Sequence, residues 1–104
     1  MMTAEEFKQD VLTWAQHIGV EPREIHIRRM SRKYGSCSTK GRLTFDASLL
    51  SKDVEKRTRV MVEELLHLKF PNHGKMFKSM LNAYLSQVNV IEYKKEKKIV
   101  MQDC

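Results

Sequence analysis

The chain has 104 residues, 41% of them apolar, with 19 Lys and Arg against 13 Asp and Glu and a net charge of +6. That length fits one domain with a small core, and no run approaches the roughly 18 apolar residues of a membrane span. Two distant cysteines, Cys37 and Cys104, with no Cys-x-x-Cys pair, exclude a disulfide scaffold and a zinc finger or ribbon. Any metal is therefore expected on histidines and carboxylates. The first ten residues hold Glu5 and Glu6 and no apolar leader segment, so no signal peptide is expected, and the cytoplasm is the expected compartment.

Residues 3–18 place Phe7, Val11, Leu12, Trp14, Ala15 and Ile18 at helical spacing. Thr3 and Glu6 fit a capping box, each side chain satisfying an N–H that the first turn leaves open, and Gly19 is a natural stop. Trp14 is expected in the core. Residues 24–30 alternate apolar and polar, the pattern of a half-buried strand. Tyr34–Gly41 and Arg42–Phe45 predict two short strands about a Gly-containing turn. Three strands in this order predict a small, mostly antiparallel sheet.

Ser51 is placed to cap a helix over about 52–69, with Asp53 and Glu55 in the first turn, where the dipole favours acids. Pro71 ends it, because proline disfavours helical geometry in the residue before it. A last helix is predicted over about 73–88, with Phe77, Met80, Leu81, Tyr84 and Leu85 inward. Residues 89–104 follow as a tail that carries a lysine-rich run and then Ile99, Val100 and Met101. No repeat or linker divides residues 1–104, which read as a single α+β domain: backing helix, three-stranded sheet, central helix and C-terminal helix.

The informative stretch is Val62–Phe77. On a helix, Glu63 and His67 lie one turn apart on one face, with Glu64 beside them. His73 follows just past Pro71, and a chain turning back there brings it against His67. Two helix residues at i and i+4 plus one from the next turn make a three-ligand set with an open position, the design of catalytic zinc sites.

This stretch resembles the zinc-peptidase signature His-Glu-x-x-His of the YgjP-like and SprT-like metallopeptidase domains and the very short minigluzincins. Arg32–Ser38 followed by Lys40 and Gly41 resembles the Arg-Trp-Gly-Ser-Cys-Ser segment of the YgjP-like group. Pro71–Gly74 with Phe77 resembles its third-ligand turn, and the likeness spans about residues 28–85. It implies a minimal zincin-like fold and zinc-dependent hydrolysis of peptides or unfolded proteins. The implied zinc ligands are Glu63, His67 and His73, and Glu64 is the implied general base, passing the proton of the attacking water to the leaving amine.

The family's first ligand is histidine, and here that position is Glu63. A carboxylate binds zinc but brings a full negative charge, which weakens the metal as a Lewis acid and raises the pKa of its water. A slower enzyme, an altered metal preference or no turnover is expected. An extended substrate is expected along an edge strand at Arg42–Ala47, with Tyr34, Tyr84 or Tyr93 as candidate oxyanion donor.

Cys104 is either an idle thiol in a frayed terminus or a thiolate that fills zinc's open position when the tail folds back, giving a latent, zymogen-like form. Between Arg23 and Arg42 stand seven bases and one acid, Glu24. That basic strand surface supports an alternative function, nucleic-acid binding through phosphates, though no nucleic-acid motif accompanies it. A metal-stabilised interaction domain without catalysis is a third reading, in which Glu64→Gln changes nothing. No membrane partner is expected, and the sequence leaves the oligomeric state open.

Overall fold

Helix α1 spans Ala4–Ile18 in the computed structural model, which describes residues 1–87. The expected tail over 89–104, with Tyr93 and Cys104, lies outside the described residues. The capping box at the start of α1 is complete: the Thr3 N–H donates to Glu6 at 2.8 Å and the Glu6 N–H donates to the Thr3 hydroxyl at 3.1 Å. Gly19 ends the helix at φ 87°, a left-handed conformation that glycine adopts without strain. Phe7, Val11, Ala15 and Ile18 form its buried stripe. Trp14 is only half-buried at the edge of the core, edge-to-face with Tyr84 and His17.

Strands β1 (Glu24–Arg28), β2 (Gly35–Cys37) and β3 (Arg42–Asp46) form one sheet in the order β1-β3-β2. β1 runs parallel to β3, with Glu24 opposite Arg42 and Arg28 opposite Asp46. β2 runs antiparallel to β3, with Gly35 opposite Phe45. The sheet is thus mixed, with one pairing of each kind, rather than mostly antiparallel. The cause lies in residues 29–34, which cross the end of β3 and deliver the chain to its far side. Asp46 fixes both ends of that crossing: its carboxylate accepts from Met30 N–H at 2.7 Å, and its own N–H donates to Tyr34 O at 2.8 Å. The same bond draws Met30 off the sheet, so β1 stops at Arg28.

A 3-10 turn over Ala47–Ser51 follows β3, with Asp46 also its cap. Helix α2 then spans Val54–Leu66. Its cap is Asp53, whose side chain accepts from Lys56 N–H at 2.8 Å, not Ser51, which the 3-10 turn takes up. α2 also ends sooner than Pro71 requires. From His67 the chain tightens: Leu68 and Lys69 donate to carbonyls three residues back, the usual finish of a helix. A third helix, α3, starts at 75 and is described to 87. The helices pack on one face of the sheet around Phe7, Leu43, Phe45, Leu49, Met61, Leu65, Leu66 and Phe77.

Candidate active site

The end of α2, the turn at 67–74 and the edge strand β2 meet at one place. His67 is the C-cap of α2, its N–H held by the carbonyls of Glu63 and Glu64. Its Nδ1 lies 3.3 Å from Phe70 O. A carbonyl only accepts, so this contact places the His67 proton on Nδ1 and leaves Nε2 with a free lone pair. The Nε2 atoms of His67 and His73 face each other at 2.8 Å, and the His73 ring donates across that gap. Phe77 of α3, almost fully buried, lies against both rings, with centroids 4.8 Å from His67 and 4.5 Å from His73. A backbone carbonyl and an aromatic floor thus orient the two imidazoles.

Beside them is a cleft of about 400 Å³ lined by Lys33, Gly35–Thr39, Glu64, His67 and Pro71. Glu64 lies against the backbone of β2. A Cβ at Gly35 would sit 2.9 Å from Glu64 Cγ and 3.0 Å from Val60 Cγ1, so only glycine lets this side chain pack there. Burial, and secondarily the negative charge of Glu63, push the Glu64 carboxyl up to about 7, against the opposing pull of Lys33 and His73. The Cys37 thiol in the same cleft is pushed up as well, first by burial and then by Glu64, which keeps it a thiol.

Among the described residues, the structure brings Glu64, His67 and His73 together. Glu63 is half-buried one turn before His67, and no three His, Cys, Asp or Glu side chains already converge as a metal cage. Tyr84 stands apart from the cleft, in the cluster with Trp14 and His17. Tyr34 adjoins Gly35 but does not line the cleft, and its ring is covered by the Lys56 ammonium at 4.2 Å. The strand expected to receive substrate, Arg42–Ala47, is the central one, with both edges paired. The edge strand at the cleft is β2. Lys33, the Phe70 carbonyl and the packing of Glu64 on Gly35 were not readable from spacing, although Lys33 and Gly35 lie inside the Arg32–Ser38 motif.

The sequence model of the YgjP-like metallopeptidase domain matches residues 2–97. The chain belongs to the YgjP-like metallopeptidase family. Two crystal structures of metallopeptidase zymogens share the fold of this YgjP-like chain. Jannalysin of Methanocaldococcus jannaschii is 25% identical over 95% of this chain and 99% of its own, with a TM-score of 0.63. Abylysin of Pyrococcus abyssi is 27% identical over 70% of this chain and 74% of its own, with a TM-score of 0.61. No curated protein matches. The α+β fold and the peptidase class of hydrolase stand on these matches. No helix among the described residues is long and apolar enough to cross a membrane.

A YgjP-like peptidase implies a metal, and the donors here fit one. At zinc–nitrogen bonds of about 2.0–2.1 Å, two tetrahedral imidazole ligands stand about 3.3 Å apart. The facing Nε2 atoms, at 2.8 Å, therefore need part by only about half an ångström. The Phe70 carbonyl on Nδ1 is the outer partner that a metal-binding histidine ordinarily has.

Proposed function

We propose that this chain is a zinc-dependent peptidase acting on unfolded polypeptide, with His67, His73 and Glu63 holding the metal and Glu64 as general base. The observation that carries the reading is the pair of facing imidazole nitrogens beside a cleft that contains a half-buried carboxyl, Glu64. Two imidazoles and one carboxylate are a donor set that catalytic zinc accepts. When bound, zinc supplies a Lewis acid that polarises the scissile carbonyl.

The chain's own residues do the rest. Glu64 takes the proton of the attacking water on a carboxylate oxygen and returns it to the leaving amine. Its value near 7 in the metal-free protein leaves both protonation states within reach. Gly35 leaves room for that carboxylate, and the edge of β2 that is unpaired among the described residues offers backbone groups to an extended substrate. Glu63 opposes this chemistry: its charge lowers the metal's acidity and keeps the proton on Glu64. The site is accordingly slower than one with histidine at position 63. Latency through Cys104, and a cytoplasmic setting, belong to the same proposal.

Metal content by elemental mass spectrometry, with cleavage of an unfolded protein, tests it. The wild type is expected to hold near one zinc per chain and His67→Ala none. Glu64→Gln is expected to keep zinc and lose cleavage, and Glu63→His to cleave faster. Removal of residues 89–104 is expected to raise the rate, and an unchanged rate overturns latency through Cys104. Wild type and Glu63→His both failing to take up added zinc overturns the proposal.

A further inference from the structure

The face of the sheet turned away from the helices carries His26 and Arg28 of β1, Thr44 and Arg42 of β3, and Ser36 of β2 around a recess of about 560 Å³. Its wall nearest the cleft is formed by Ser36, Cys37 and Ser38. These three residues also line the cleft that holds Glu64. Ser38 reaches further still, into a second recess lined by Arg23, Glu24, Lys40 and Arg42. Cleft and sheet face are thus joined across the end of β2.

The charge along this path is mostly positive. Lys33 stands in the cleft, and Arg23, Arg28, Lys40 and Arg42 are exposed beyond it. The exposed acid among them is Glu24, and it is occupied: its carboxylate accepts from Arg42 Nε at 3.0 Å and lies 3.4 Å from His26 Nε2. Asp46 is buried and spent on Met30 and Ser48. Arg23, Arg28 and Lys40 have no acidic partner among the described residues. Such a surface attracts anions.

We propose that this basic sheet face, reached from the cleft across Ser36–Ser38, binds an acidic segment of the polypeptide being cleaved and so selects substrates with aspartate and glutamate clustered to one side of the scissile bond. The proposal rests on the peptidase reading of the cleft. A chain crossing from β2 over β3 to β1 covers two strand spacings, about 10 Å, or about three extended residues. That is the length of acidic run the face accommodates. Continuity with the cleft favours the substrate's own chain over a nucleic acid. So does the absence of Phe, Tyr and Trp from the recess linings, where the one ring, His26, lies beside Glu24, since strands of nucleic acid gain much of their affinity from stacking on successive aromatic side chains.

The test uses zinc-loaded protein and two fluorogenic peptides with one scissile segment. One carries a flank of Asp and Glu, the other the matching Asn and Gln. Exposed ion pairs are each worth a few-fold at most, so two or three together give about a 10-fold higher kcat/KM for the acidic peptide. That ratio falls toward one in 0.5 M salt, as screening demands (the Debye length is then about 4 Å). In Arg28→Gln/Lys40→Gln it drops to about 1–3, while the neutral peptide is cleaved at the wild-type rate. Equal rates for the two peptides in wild type, or a preference that survives the double substitution, overturns the proposal.

Fluorescence anisotropy of a labelled acidic peptide on Glu64→Gln protein reads the face without turnover. Binding that the double substitution abolishes supports the face even if no peptide is cleaved, in which case the peptidase reading alone fails. A labelled single-stranded oligonucleotide bound more tightly than the acidic peptide, with the same dependence on Arg28 and Lys40, overturns the acidic-peptide assignment.

Discussion

Replacing Gly35 by alanine places a methyl group where Glu64 now lies. The added Cβ would stand 2.9 Å from Glu64 Cγ, 3.3 Å from Glu64 Oε2 and 3.0 Å from Val60 Cγ1, whereas carbon atoms settle at about 3.5–4.0 Å. The deficit is roughly 0.6–1 Å. Val60 and Glu64 are successive turns of one helix face, and Val60 is buried. The strain is therefore relieved either by moving α2 off β2 as a body or by swinging Glu64 out of the cleft. Overpacking of this kind costs about 1–3 kcal/mol, which for a domain of this size lowers Tm by roughly 4–8 °C per kcal/mol. A shift of about 1 Å in a catalytic group can cost about 100-fold in rate.

The assays are a thermal melt and the rate of cleavage of an unfolded substrate, with zinc content measured alongside. Zinc content is expected to hold, since Gly35 touches neither imidazole. Gly74→Ala is the control: a Cβ there meets nothing within 4 Å, so only the small preference of a helix start for glycine over alanine is lost, about 1 kcal/mol or less. Gly35→Ala with unchanged Tm and unchanged rate refutes the packing argument for Glu64.

Two further predictions concern stability. The Glu64 carboxyl has a higher pKa folded than its ordinary 4.5, near 7, so the folded protein holds this proton where the unfolded chain has released it. Its contribution is complete below about 4.5 and is lost as pH rises through about 7. In the metal-free protein, Tm should therefore drop over that window more steeply for wild type than for Glu64→Gln, and equal slopes refute the assignment. Asp46→Ala removes the acceptor for Met30 N–H and Ser48; leaving a half-buried N–H unpaired costs about 1–3 kcal/mol, and a urea midpoint within error of wild type refutes that role.

What the sequence showed and what it hid divide by range. α1 was readable to within a residue because its cap, stripe and stop are all local: Thr3 with Glu6, Phe7 to Ile18, and Gly19. The nearness of His67 and His73 was readable for the same reason, since Pro71 and six residues of chain leave little choice. The pairing of β1 with β3 was hidden, because it depends on Asp46 fastening a crossing loop that lies sixteen residues earlier. The cap of α2 was misplaced because Ser51 and Asp53 both suit the role, and the 3-10 turn that decides between them carries no strong local signal. Tyr84 looked eligible for the cleft by residue type alone. Its place was fixed by the aromatic rings of Trp14 and His17, two turns along α3 from Phe77.

The two imidazoles stand only six residues apart in the chain, whereas the glycine that shapes the cleft for Glu64 belongs to a different part of the fold. With zinc on the proposed ligands, an unfolded chain would thus keep both histidines within reach of one ion and retain part of the affinity. Ligand that binds both states stabilises the native one only by the difference. Zinc is therefore expected to raise Tm by less than its dissociation constant alone would give. It can also be captured by the short segment around Pro71 before the sheet has formed, so that metal loading and folding need not follow a fixed order.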